Sequence, residues 1–127
     1  MRRTTFLFVS GIAISLVVAV ALANREGLLF VSAVASSESR PALLNDAEWN
    51  RPETARAFGR EFARGTPEPA LLRWLQANAF VIDPAARTAR RRIKGLPCNE
   101  MVDIAWSVGS AGRIEAASAT VREAGCL

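Results

Sequence analysis

The 127-residue chain has no histidine, only two cysteines, and a single lysine among its sixteen basic residues. The missing histidine excludes the most chemistry. Without an imidazole there is no histidine-dependent triad, no histidine metal ligand and no imidazole acid or base near neutral pH. A zinc site needs about four ligands, and the two distant cysteines, Cys98 and Cys126, leave it short. Their spacing is also not the Cys-x-x-Cys of a redox pair. No metal or cofactor set is therefore expected. Basic residues outnumber acidic ones by sixteen to twelve, and a net charge of +4 is too small to specify a ligand. The chain has no internal repeat.

The longest uncharged stretch runs from Phe6 to Ala23, "FLFVSGIAISLVVAVALA", behind Arg2 and Arg3. This arrangement reads as an export signal. Its eighteen residues sit at the low end for a spanning helix, which needs roughly twenty. Ala21-Leu22-Ala23 also forms an acceptable cleavage site before Asn24. Two outcomes follow. Residues 6–23 anchor the chain in the inner membrane with the remainder in the periplasm, or cleavage near Ala23 releases a secreted form. The arginines before the run favour an inside N-terminus on either reading. No cysteine lies near the end of the run, so the lipid-modified cysteine of a bacterial lipoprotein has nowhere to form.

Residues 1–23 are thus expected as signal-anchor or signal peptide, 24–45 as linker and 46–127 as a small α+β domain. A second apolar run, Leu28 to Ala35, either continues the first helix past Gly27 or lies at the interface. "SSESRP" then has linker composition. From Asp46 the pattern is helical, with Pro52 in the first turn, Ala55, Phe58 and Phe62 on one face, and Arg56, Arg60 and Arg64 on another. Gly65 ends this helix. Thr66 is a good N-cap for a second helix, in which Leu71, Leu72, Leu75 and Ala79 form the apolar stripe and Trp74 sits on its margin.

"AFVID" and the arginine-rich stretch ending in Ile93 read as strands separated by an Asp83-Pro84 turn. Val102, Ile104, Trp106 and Val108 then alternate with Asp103, Ala105 and Ser107, the period of a half-buried strand. Gly109-Ser110-Ala111-Gly112 supplies a tight connection, and Ile114 to Arg122 returns antiparallel. The returning strand changes parity between Ile114 and Ala117. Either a bulge near Ala116 or two faces of small residues accounts for that. The fold class predicted is α+β: an N-terminal hydrophobic helix, then two helices packed on a three- to four-stranded antiparallel sheet.

Export places the domain in an oxidising compartment, where an even number of cysteines is normally paired. The hairpin brings Cys98 and Cys126 to the same end of the sheet, so a disulfide is expected there. Asp103 and Glu115 can face each other across the hairpin, as a carboxylate-dependent hydrolase would require. Solvent-facing strand residues are the simpler reading, and no catalytic residue is assigned. Arg87, Arg90, Arg91, Arg92 and Lys94 form a basic cluster suited to an anionic headgroup or an acidic envelope protein; export argues against nucleic acid. The alternative is a solvated loop or an edge strand protected by charge. Trp106 belongs to the core by its parity, and Trp49, in an irregular segment, is the tryptophan expected to be exposed.

"FARGTPEPALLRWLQANAF", then "GLPC" and "VDIAWSVGSAGRI", resemble the helix-helix-strand order of small proteobacterial envelope proteins. More distantly, Gly65-Thr66, Gly95-Leu96-Pro97 and Trp106 are similar to the order of motifs in the SmpA/OmlA lipoproteins. That resemblance implies two helices against a three-stranded antiparallel sheet and an accessory scaffolding role in outer-membrane protein assembly. The sequence as a whole leads to a non-catalytic envelope protein that binds or scaffolds a partner on the periplasmic side.

Overall fold

The computed structural model describes residues 14–20 and 22–126, and chain contacts divide it into two units with the boundary between Ser36 and Ser37. In the first unit, residues 14–20 and 22–23 are helical, and helix α1 spans Arg25–Ala35 after a turn at Asn24. The Asn24 amide and its side-chain Nδ2 both donate to the Val20 carbonyl, at 3.0 and 2.9 Å. Ile14, Leu16, Val17, Val18, Val20 and Leu22 are each more than half exposed. No helix among the described residues is long and apolar enough to cross a membrane. Residues 6–13 and 21 of the expected anchor lie outside the described residues.

The second unit is α+β with a four-stranded antiparallel sheet. Two 3-10 turns, Ala42–Leu44 and Pro52–Thr54, precede helices α2 (Arg56–Glu61) and α3 (Glu68–Ala77). Strands β1 (Val81–Asp83), β2 (Thr88–Ile93), β3 (Cys98–Val108) and β4 (Ile114–Cys126) follow and pair in chain order as a meander. This order suits the sequence, since short connections join each strand to the next and no crossover is needed.

Strand parity determines which residues reach the core. Val102, Ile104 and Trp106 of β3 are buried with Ala89 and Ile93 of β2 and Ala119 and Val121 of β4. Against them lie Phe58 and Phe62 around α2, and Leu71 and Leu75 of α3. The Phe58, Phe62 and Phe80 rings surround Trp74 with centroids 5.5–5.6 Å from it, so the marginal tryptophan closes an aromatic cluster. Trp106 is buried as its parity requires, and its indole N–H donates to Glu68 Oε1 at 2.8 Å.

A bulge resolves the parity change on β4. Ser107 lies opposite Ala116 and Val108 opposite Ile114, which leaves Glu115 unopposed. Ile114 can thus face the core together with Ala119 and Val121.

Two local expectations are corrected. The helical pattern from Asp46 becomes a bridge between Glu48 and Arg51, a 3-10 turn and the six residues of α2. Pro52 disfavours helix at Arg51, and Asn50 turns the chain with a φ of 59°. Thr54 then stabilises the turn, accepting from the Glu48 amide and donating to the Arg51 carbonyl. The N-cap of α3 is Pro67 rather than Thr66, with no side-chain cap. Tertiary backbone contacts replace it: the Glu68 amide donates to Gly112 O, and the Thr66 carbonyl accepts from the Ile114 amide.

Residues 37–45, within the expected linker, belong to the second unit. The Glu38 amide donates to Lys94 O at 2.6 Å, and Leu44 is fully buried. Expected linker residues Arg25–Ala35 form α1.

Candidate functional site

The helices cover one face of the sheet, so the opposite parity of β2, β3 and β4 presents an open face. Its floor is made of short side chains, with Ala105 beside Ser118 and Ser107 beside Ala116. Above it, Arg90 of β2 lies opposite Asp103 of β3, and Arg92 and Arg122 flank Met101 in the next row. Arg90 Nε donates to Asp103 Oδ1 at 2.6 Å, and Arg122 Nε donates to Oδ2 at 2.7 Å. Two guanidinium groups therefore hold one carboxylate, while Arg92, one row away, donates from Nη2 to Ala124 O at 3.4 Å. Asp83, at the β1 margin, is turned to the Ala85 and Ala86 amides. A shallow depression of about 930 Å³ lies over β1, β2 and the centre of the sheet.

Burial pushes the Asp103 carboxyl up, but the hydrogen bonds from Arg90 and Arg122 outweigh it and hold the group below its ordinary value. The carboxylate thus remains charged at neutral pH. Glu115 sits at the hairpin end, where its Oε1 would lie 2.9 Å from a side-chain carbon placed on Gly109. Asp103 faces Thr120 instead, so the structure does not bring the two carboxylates together.

The five basic residues of the expected cluster do not share one surface. Alternation along β2 sends Arg90 and Arg92 to the open face, while half-buried Arg91 points to the helical side and donates to Asn78 O at 2.8 Å. Arg91 also pairs with Glu38 at 3.7 Å, and Arg87, in the preceding turn, pairs with Glu68 at 3.5 Å. Lys94 lies beyond the strand. The member that sequence reasoning missed is Arg122. Its parity on β4, set after the bulge, was the signal that could have found it.

A second polar cluster holds the start of the unit against the sheet. Glu100 accepts from Arg40 Nε at 2.7 Å, Arg40 Nη2 at 2.5 Å and Trp49 Nε1 at 2.6 Å. Arg40 also donates to the Leu44 and Ala47 carbonyls. The Arg40 guanidinium, helped by Trp49, holds the Glu100 carboxyl below the usual range against the opposing effect of burial. A depressed native value means that this stabilisation is present above the unfolded value and is lost as pH falls through the native one. Glu100→Gln should cost about 2 kcal/mol at neutral pH, because it weakens charge-assisted hydrogen bonds to a half-buried arginine. Urea unfolding at neutral and acid pH should show the gap between the variant and the native chain narrowing on acidification.

The Cys98–Cys126 disulfide is formed, and the two residues are register partners at the end of the hairpin. No free cysteine remains among the described residues. Structurally, the second unit is a small disulfide-bridged α+β domain whose own helices leave one face of its antiparallel sheet open. Comparisons with known protein families, curated proteins and solved structures found no match to this chain.

Proposed function

We infer that the protein is a non-catalytic binding module of the bacterial envelope that holds an acidic segment of a partner protein on its open sheet face. The observation that carries this reading is the set of Arg90, Arg92 and Arg122 on one open face, the first and last bonded to Asp103, beside a floor of short side chains. Arginine forks match carboxylates in geometry as well as charge. The short side chains leave room for an extended segment to approach.

The sheet edges favour contact through the face. Gly65 and Thr66 bond to Ile114 at one end of β4, and the Asn50 amide bonds to Val121 O further along. At the other edge, β1 is only three residues long. Blocked and short edges resist strand addition.

The apolar N-terminal segment would hold the module at the inner membrane, with the domain on the periplasmic side; cleavage near Ala23 would instead release it. Exposed apolar side chains from Ile14 to Leu22 support an apolar environment for that segment. A scaffolding role of the kind implied by the SmpA/OmlA resemblance belongs to the same reading.

Binding of poly-glutamate to the full chain tests the site. Replacing Arg90, Arg92 and Arg122 with glutamine should weaken binding about tenfold, taking roughly 0.5 kcal/mol for each exposed ion pair. The same change at Arg56, Arg60 and Arg64 alters net charge equally and should leave binding nearly intact. Asp103→Asn should strengthen it by releasing two guanidinium groups. Equal losses from both triple variants would reduce the interaction to net charge, and stronger binding to anionic vesicles than to poly-glutamate would move the reading to a lipid headgroup.

A further inference from the structure

The bridge lies beside a third ligand-bearing side chain. Cys98 Sγ, Cys126 Sγ and a Glu123 carboxylate oxygen lie within 4.8 Å of one another at the open end of the hairpin. Sequence spacing conceals this grouping. In a regular strand, residues three apart point to opposite faces, so Glu123 and Cys126 would be separated by the sheet. Here Cys98 pairs with Cys126 and Glu100 with Glu123, which places two steps on β3 against three on β4. The additional residue lies in a stretch that contains Gly125, whose φ of +111° suits glycine. That irregularity returns Glu123 to the side of the cysteines.

Glu100, opposite Glu123, is already engaged by Arg40 and Trp49. Glu123 has no ion pair among the described residues, and both it and Cys126 are exposed. An entering ion would therefore meet two sulfurs and one carboxylate without crossing the core.

We propose that, once the bridge is reduced, Cys98, Cys126 and Glu123 form a site for a thiophilic divalent cation such as zinc or cadmium. A dithiol reductant supplies two electrons and two protons to the disulfide and becomes a disulfide itself, leaving two thiols on the chain. Metal binding then displaces those two protons, and the thiolates and carboxylate provide three ligands with a fourth position for water. Soft thiolates select this class of ion over magnesium or calcium. In the oxidised chain both sulfurs are committed to each other, so the site opens and closes with the redox state of the bridge. This inference does not depend on the open sheet face.

The test is cadmium titration of the full chain, reduced with a dithiol and freed of it under anaerobic conditions. The reduced chain should bind one cadmium ion with the ultraviolet charge-transfer band of a cadmium thiolate, and the oxidised chain should show no such band. Glu123→Gln should weaken binding by about tenfold, a loss on the scale produced by removing even an outer-shell partner. Glu115→Gln should bind as the native chain does. A reduced chain without the band would overturn the proposal. So would equal affinity in Glu123→Gln, which is also the outcome if reduction unfolds the hairpin and leaves two independent thiols; far-ultraviolet circular dichroism of the same samples identifies that case.

Discussion

Phe58→Ala should lower the stability of the second unit by about 3–5 kcal/mol, the range for removing a buried aromatic ring. Phe58 is only 1% exposed and supports two neighbours, with its ring centroid 5.0 Å from Phe62 and 5.6 Å from Trp74. Truncation would remove transfer energy and leave a cavity that short α2 cannot fill without moving. Tryptophan fluorescence during urea unfolding would register both the lower midpoint and the altered surroundings of Trp74. Val81→Ala is the contrasting case. Val81 is 78% exposed, so its truncation should change stability by no more than about 0.5 kcal/mol.

Replacing Cys98 and Cys126 together with serine should cost about 3.5 kcal/mol. The bridge joins residues 28 apart, and the chain-entropy model assigns a loop of that length this much restriction of the unfolded state. For a domain of this size, the loss corresponds to a fall of roughly 20 °C in melting temperature. Thermal melting of the double variant and of the native chain under reductant should give matching, lowered midpoints. An unchanged midpoint in both would mean that the unfolded chain is not restricted by the bridge. The meander already holds Cys98 beside Cys126, so the bond acts mainly on the unfolded ensemble rather than on the packing of the sheet.

These two effects bear on the binding proposal in different ways. Phe58 and the bridge keep the sheet folded, whereas Arg90, Arg92 and Arg122 lie on its solvent side and carry little of the core. Neutralising the open face should therefore alter binding with only a small change in melting temperature. A loss of binding that simply followed a loss of folding would not support the site.

Several elements were legible because their signals are local. The alternation of Val102, Ile104 and Trp106 needs only the two-residue period of a strand, and the glycines at 109 and 112 mark its end. Leu71 and Leu75, four apart, are the fully buried stripe of α3. The expected helix from Asp46 failed for a reason also present in the sequence: Pro52 interrupts the backbone bonding that the apolar spacing suggests.

By itself, the sequence determined the period of each main strand and helix, the position of the hairpin and the pairing of its two cysteines. These depend on residues two to four apart, or on a turn that brings distant residues to the same end of the sheet. Only the tertiary structure decided that Arg40 clasps Glu100, that Glu68 receives the Trp106 indole, that Arg122 joins Arg90 at Asp103, and that Glu123 stands beside the bridge. The first two link residues 60 and 38 apart. The last two depend on where β4 loses register with β3. A one-residue slip changes the face of every following side chain, and whether it occurs is settled by packing against the whole sheet.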